Sequence, residues 1–194
     1  FAVGLRDTVA GAGSAGTDHE LLVVLNDGDG HAAARTFYTS GAQPRFVAAG
    51  DVDGDGDADL IVSNFGDGTV TLMTNNGDGT FVDALAGATV LATGGTPLQS
   101  LFVDVVGDAL PDIVVSTGMT KVHENLGGGA FAPAVVIGAG GILGAIRAAD
   151  LEPDGDVDVV VDSGVVLRNN GDDTFTHEDV IPPAEYWLAV AVGD

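Results

Sequence analysis

The residues best suited to chemistry are acids that cluster between apolar runs. Segment 51–59 reads Asp-Val-Asp-Gly-Asp-Gly-Asp-Ala-Asp and places five carboxylates within nine residues. Carboxylates packed this closely repel one another unless a cation neutralises them. Alternation puts the first three on one side of the loop, and Gly56 permits a reversal that returns Asp59 as a further oxygen donor. Hard oxygen donors without His or Cys favour Ca²⁺ over zinc or copper.

Two further segments repeat this pattern with different fidelity. Segment 150–158 keeps the acids and the turn glycine, with Glu152 in the third position. Segment 104–112 is degraded, because Val106 replaces an acid and Ala109 replaces the glycine. We therefore expect weak calcium binding in the middle segment, or none.

These segments predict two calcium sites and one weak site. The candidate ligands of the two sites are Asp51, Asp53, Asp55, Asp57, Asp59, Asp150, Glu152, Asp154, Asp156 and Asp158. The weak site would comprise Asp104, Asp108, Leu110 and Asp112. A solvated acidic turn without metal is the alternative for each segment.

An EF-hand is the competing calcium motif. Its twelfth loop position is a bidentate Glu that leads into a helix. The twelfth positions here are Val62 and Val161, which lie inside apolar β-branched runs. These loops are therefore predicted to join two strands.

The elements that position the acids recur along the chain. A short apolar strand occurs four times at intervals of 44–53 residues, ending at Asp51, Asp104, Asp150 and Asp194. An Asn- and Gly-rich turn recurs out of phase with this strand, first at 75–81. Such turns join the strands of hairpins, because Asn and Gly tolerate positive φ. Four antiparallel strands in this period are typical of a β-propeller blade.

One unit contains predicted strands at 45–50, 60–64 and 69–74, with a fourth from Phe81 onward. The sequence therefore predicts an all-β fold, namely a β-propeller or propeller segment of four-stranded antiparallel blades. About four blades are expected within one domain over 1–194, with repeats at approximately 1–44, 45–98, 99–145 and 146–194.

The first and last repeats depart from this pattern. In the first, 1–7 could match the strand before the acidic loop and 21–25 the third strand, but 8–17 contains no acidic cluster. The chain stops at Asp194, where a fourth acidic loop would begin. We therefore expect an atypical first blade and a cut last blade, completed by more chain or by a partner.

The order of these motifs resembles the FG-GAP/VCBS repeats of integrin-α-like β-propellers. The likeness rests on 49–62, 64–70 and 75–81, and covers about 45–194, with a looser match over 1–44. It implies that Ca²⁺ binds the side chains matching Asp51, Asp53, Asp55 and Asp59, with the backbone carbonyl of Asp57. By the same match, the third loop would use Asp150, Glu152, Asp154 and Asp158, with the carbonyl of Asp156.

Composition excludes several other functions. Six Lys and Arg against 29 Asp and Glu give a net charge of −23, which disfavours nucleic acid and anionic membrane surfaces. The absence of Cys excludes disulfides and thiolate nucleophiles. The uncharged run 127–146 contains Pro133 and several glycines, which indicates short strands and no membrane span.

No catalytic constellation is recognisable, so we expect a protein that is not an enzyme. The four His are scattered, and no Gly-rich loop carries the Lys and Ser or Thr that phosphate binding needs. Tyr186 and Trp187 form the one dense aromatic pair, which could stack on a sugar ring if exposed or pack in the core if buried.

The favoured function is a non-catalytic, calcium-stabilised propeller module of a secreted or cell-surface protein, serving adhesion, interaction or assembly. A glycan-binding propeller is the first alternative, and an accessory propeller of a secreted polysaccharide-active enzyme is the second. The expected partners are proteins or glycans at the cell surface, or a second copy associating through open blade faces. Calcium loops of modest affinity suit the extracellular medium, where calcium is millimolar.

Overall fold

The computed structural model describes residues 2–7, 19–26, 29, 31–82, 87–139 and 145–180. Every regular element in these ranges is a β-strand. The strands are β1 (Ala2–Asp7), β2 (His19–Asn26), β3 (Ala32–Thr39), β4 (Pro44–Gly50), β5 (Asp59–Asn64), β6 (Thr69–Met73), β7 (Thr89–Ala92), β8 (Gln99–Val103), β9 (Asp112–Ser116), β10 (Met119–His123), β11 (Val135–Ala139), β12 (Ile146–Ala149), β13 (Asp158–Val161), β14 (Val165–Asn169) and β15 (Phe175–Asp179).

The strands form antiparallel sheets in which sequence neighbours pair. Three sheets have four strands, in the orders β4-β5-β6-β7, β8-β9-β10-β11 and β12-β13-β14-β15. The first sheet has three described strands in the order β1-β2-β3. The predicted all-β fold of four-stranded antiparallel blades is therefore confirmed. The described residues contain no helix long and apolar enough to cross a membrane.

Apolar side chains between successive sheets form the core. Leu21 and Val23 of the first sheet pack with Leu60 and Val62 of the second, all nearly inaccessible to solvent. The second sheet packs against the third, and the third against the fourth, through equivalent β-branched residues. Because β5 and β9 are buried at every position, they need continuous apolar runs instead of alternation.

The opening strands of the four-stranded sheets lie side by side. Strand β4 contacts β8, and β8 contacts β12, so the acidic loops that follow these strands emerge at one end of the stack. The described sheets therefore contact one another in chain order.

The first repeat contains both strands that the sequence predicts at 1–7 and 21–25. Strand β1 covers most of the predicted 1–7, β2 covers the predicted 21–25, and the two pair antiparallel from Ala2↔Val24 to Asp7↔His19. Strand β1 also contacts β4, as β4 contacts β8. Residues 8–17 lie outside the described residues, so the assignment of 1–7 to the strand before an acidic loop stays a prediction.

The fourth strand of the second sheet begins later than expected. Phe81 forms an isolated bridge with Asn75, and the strand is β7. The backbone N–H of Phe81 donates to the Tyr38 hydroxyl at 3.2 Å, and the two rings pack edge to face with centroids 5.7 Å apart. These contacts hold Phe81 against the first sheet. The predicted strand 189–194, with Tyr186 and Trp187, lies outside the described residues.

One buried histidine couples this core to pH. His123 ends β10 with 2% of its surface exposed, and its Nδ1–H donates to the Ala132 carbonyl at 2.9 Å. Among the described residues its Nε2 has no hydrogen-bond partner. Burial lowers the pKa of His123, and the nearby charge of Lys121 lowers it further, against the opposing effect of the Ala132 bond.

We predict that His123 makes the fold less stable in mild acid. As pH falls through about 6.5, the unfolded chain takes up a proton that the folded chain resists, so the free energy of unfolding falls. His123→Met, which copies Met73 at the equivalent position of β6, should remove up to about 1.4 kcal/mol of this loss per pH unit. Urea unfolding at pH 7.5 and 5 measures it. The exposed His177→Gln should keep the pH dependence, and equal slopes for wild type and His123→Met would contradict the prediction.

Candidate metal centre

A buried aspartate opens the second strand of each four-stranded sheet. Asp59, at the start of β5, is 1% exposed. Its Oδ2 accepts the Val52 N–H at 3.0 Å, and its Oδ1 accepts the Asn75 N–H at 2.8 Å. One carboxylate thus joins the acidic loop, β5 and the turn after β6.

The surroundings of Asp59 oppose its ionisation when no cation is near. Burial raises the pKa of Asp59, while the N–H bonds from Asn75 and Val52 lower it. The charges of Asp53 and Asp55 add to the rise. A cation beside this carboxylate would favour its ionised form.

The rest of the 51–59 loop wraps around its own carboxylates. Asp51 accepts the N–H groups of Gly54 at 2.8 Å and Gly56 at 3.0 Å. Asp53 accepts the Asp55 N–H at 3.2 Å, which closes an Asx turn. Gly56 has φ +93°, a conformation that favours glycine, so the sharp reversal predicted here is present.

Three of the five predicted acids of this loop meet. One carboxylate oxygen each from Asp51, Asp53 and Asp59 lie within 4.8 Å of one another. Within the described part of the chain, no Lys or Arg forms an ion pair with these three acids. Such a group of hard oxygen donors fits a cation such as Ca²⁺.

The other two predicted acids of the loop lie outside this group. Asp55 accepts the Asp57 N–H at 2.9 Å. The carboxylate of Asp57 faces the turn after β6, where a Cβ on Gly77 would lie 3.0 Å from its Oδ2.

The middle loop keeps the same backbone without the acid triad. Asp112 accepts the N–H groups of Val105 and Asn125, each at 2.9 Å, and burial raises its pKa. Val106 occupies the position of Asp53, and Ala109 adopts φ +70° where the first loop has Gly56. The loop therefore retains its shape with fewer carboxylates to hold an ion.

The third loop keeps the buried aspartate but arranges its other acids differently. Asp158 accepts the N–H groups of Leu151 at 3.1 Å and Asn169 at 2.8 Å. Asp150 accepts the Gly155 N–H at 3.1 Å. The Glu152 carboxylate instead lies 3.2 Å from Nη1 of Arg168. Among the described residues, this loop does not bring three carboxylates within the spacing seen at 51–59.

Sequence reasoning missed the asparagines that connect neighbouring sheets. The Asn125 amide donates to the Val52 carbonyl of the preceding loop and to the Pro111 carbonyl, both at 3.0 Å. The Asn169 amide repeats this link to Val105 at 2.8 Å. For both residues, the sequence pattern predicts only a position in a hairpin turn. An Asn opens each of these turns even where the following residues differ, and this recurrence could have indicated a shared structural role.

We predict that Asn169→Ala destabilises the fold by about 2–4 kcal/mol, because it leaves buried backbone carbonyls without donors. The adjacent Asn170→Ala is the matched control, since the Asn170 side chain is exposed and bonds the exposed hydroxyls of Thr174 in the turn and Thr176 in β15. Its cost should stay below about 1 kcal/mol. Urea denaturation in excess calcium provides the comparison, and equal costs for the two variants would refute the bridging role of Asn169.

Part of the sequence and the overall fold are similar to those of known proteins. Residues 4–62 match the family description "FG-GAP-like repeat". A lectin from Agrocybe aegerita, described for its specific recognition of non-reducing terminal N-acetylglucosamine, is similar with a TM-score of 0.56 and 22% identity. The match covers 83% of this chain and 46% of the lectin chain, so this chain spans less than half of that structure. No curated protein matches. Residues 4–62 are therefore similar to an FG-GAP-like repeat, and the chain has a β-propeller-like fold.

Proposed function

We propose that this chain is a non-catalytic, calcium-stabilised β-propeller module of a secreted or cell-surface protein, serving interaction, adhesion or assembly. The observation that carries the proposal is the meeting of Asp51, Asp53 and Asp59 at one corner of a blade. The three carboxylates would hold the ion, and the ion would supply the positive charge that the corner lacks.

Calcium at this corner would act through the buried aspartate. Asp59 bonds backbone groups of the loop and of the turn after β6, so a cation that favours its charged form strengthens both connections. An ion that binds only the folded chain stabilises it by mass action. This role is structural and requires no substrate at the metal.

Two of the described histidines, His123 and His177, support a non-catalytic role. His123 is enclosed in the core and bonded to a backbone carbonyl. His177 lies on the exposed β15, where its Nε2 is 2.9 Å from Asp179. Each therefore has an ordinary structural partner.

The outer strands support a role in interaction. Val90 on β7, and the consecutive residues Val135 and Val136 on β11, are each half or more exposed. Apolar side chains on an outer strand can be covered by a partner, while the acidic remainder of the surface keeps the module solvated.

We predict that calcium raises the melting temperature above its value in EDTA, because the ion binds only the folded loop. At about 100 times Kd the gain corresponds to roughly 2.7 kcal/mol for one site. Asp53→Asn should remove most of this gain. Asp78→Asn makes the same charge change in an exposed turn, where the carboxylate bonds Thr80, and should retain the gain. Scanning calorimetry with and without EDTA is the measurement, and a melting temperature indifferent to calcium would overturn the proposed stabilisation.

Glycan binding is the second candidate, supported by a pocket between the third and fourth sheets. Its apolar wall includes Val122, Val135 and Phe175, and Glu124 and Asp173 supply carboxylates at the same pocket. An apolar pocket with a few polar groups suits a small ligand. The lectin of similar fold recognises terminal N-acetylglucosamine, which makes that sugar the first probe.

We predict that N-acetylglucosamine shifts amide resonances at this pocket in an NMR titration, because its acetyl group suits the apolar wall and its hydroxyls suit the carboxylates. Glu124→Gln should weaken the shifts, whereas Glu178→Gln on the exposed outer strand should not. Shifts scattered over the surface, or equal shifts with glucose and in Glu124→Gln, would exclude this pocket as a specific site.

A further inference from the structure

The 150–158 loop differs from the 51–59 loop at its third and fourth positions. In the first loop, the Asp55 N–H bonds the Asp53 side chain. In the third loop, the corresponding N–H of Asp154 bonds the backbone carbonyl of Glu152 at 2.7 Å. The Glu152 carboxylate is therefore not engaged in that turn.

Proline contributes to this difference. Gly54 of the first loop donates its N–H to Asp51, whereas the corresponding residue of the third loop is Pro153, which has no N–H. Asp150 keeps only the equivalent of the Gly56 bond, through Gly155. The third loop thus lacks two of the bonds that fold the first loop around its carboxylates.

The guanidinium of Arg168 lies beside two carboxylates of the third loop. Nη1 of Arg168 lies 3.2 Å from Glu152 Oε1 and 3.5 Å from Oδ2 of the buried Asp158. Its Nε donates to Glu178 Oε2 at 3.0 Å on the neighbouring strand β15. The Glu178 bond raises the pKa of Arg168, with the charges of Glu152 and Asp158 adding to the rise.

Within the described residues, the first loop has no counterpart of this cation. Arg168 immediately precedes Asn169, and the residue that precedes Asn75 is Thr74. Among the residues that the structure describes, no cationic side chain pairs with Asp51, Asp53 or Asp59. The two acidic loops therefore differ in whether the chain itself supplies positive charge.

We propose that Arg168 is the resident cation of the 150–158 loop, which closes without calcium, and that 51–59 is the calcium loop of the described chain. The proposal rests on the calcium role proposed above and replaces the expectation of two equivalent sites with one. A guanidinium paired with Glu152 and next to Asp158 offsets one unit of the negative charge carried by two of the expected ligands. The same charge repels a divalent ion that would bind between them.

Hydrogen–deuterium exchange of the intact chain, with calcium and with EDTA, tests the proposal. Calcium should slow exchange at least severalfold in 51–59 and leave 150–158 unchanged. A response in both loops would overturn the Arg168 proposal while the calcium module stands. A response in neither would defeat the proposed calcium role, and the Arg168 variant then decides the present inference.

Arg168→Thr copies the residue that precedes Asn75. In EDTA this variant should exchange faster in 150–158, and added calcium should restore protection there, raising the stoichiometry by one ion per chain in equilibrium dialysis. Arg147→Thr is the matched control, because the Arg147 guanidinium donates to the Ile146 carbonyl, and it should bind as wild type does. An Arg168→Thr variant that gains neither an ion nor calcium-dependent protection would overturn the proposal. Should the variant fail to fold, the wild-type exchange pattern decides.

Discussion

The fold depends on a carboxylate held out of solvent at the start of the second strand of each four-stranded sheet. Asp59, Asp112 and Asp158 each accept one N–H from the preceding loop and one from the Asn that opens the turn after the third strand. Burying a charge is costly unless hydrogen bonds or an opposite charge compensate. The loop, the strand and the turn must therefore form together.

The three acidic loops balance this charge in different ways. The first gathers three carboxylates that suit a metal ion. The second loses one carboxylate to Val106, so less repulsion needs compensation. The third places Arg168 beside Glu152 and Asp158. The loops can differ in how their charge is compensated because the buried aspartate keeps its two N–H partners in all three.

Hydrogen bonds between neighbouring sheets lie next to the acidic loops. The asparagine amide that follows the third strand bonds the loop of the preceding sheet, as Asn125 does with Val52 and Asn169 does with Val105. Val52 and Val105 are themselves buried, so the polar link lies beside apolar packing. Cohesion between sheets therefore depends on loop geometry as well as on the apolar core, which connects any ion at the corner to the stability of the stack.

The repeat period and apolar runs were sufficient to predict the all-β architecture, because strand burial and turn chemistry are local properties of the sequence. The acids of 51–59 could be identified for the same reason. The asparagine links could not, because Asn125 and Val52 are 73 residues apart. The contact of Phe81 with Tyr38 likewise joins two sheets through residues 43 positions apart. Asp53 and Glu152 occupy the same position in their loops but have different partners. The partner of Glu152 is Arg168, which lies outside the 150–158 segment, so the loop sequence alone could not predict this difference.

A crystal grown in calcium, with anomalous scattering recorded for that metal, is the most direct test of the account. We expect an anomalous-difference peak between Asp51, Asp53 and Asp59, with Asp59 bonded to Val52 and Asn75. In the third loop, we expect the Arg168 guanidinium beside Glu152. A first loop that contains no metal at saturating calcium, or an Asp59 carboxylate turned to solvent, would contradict it.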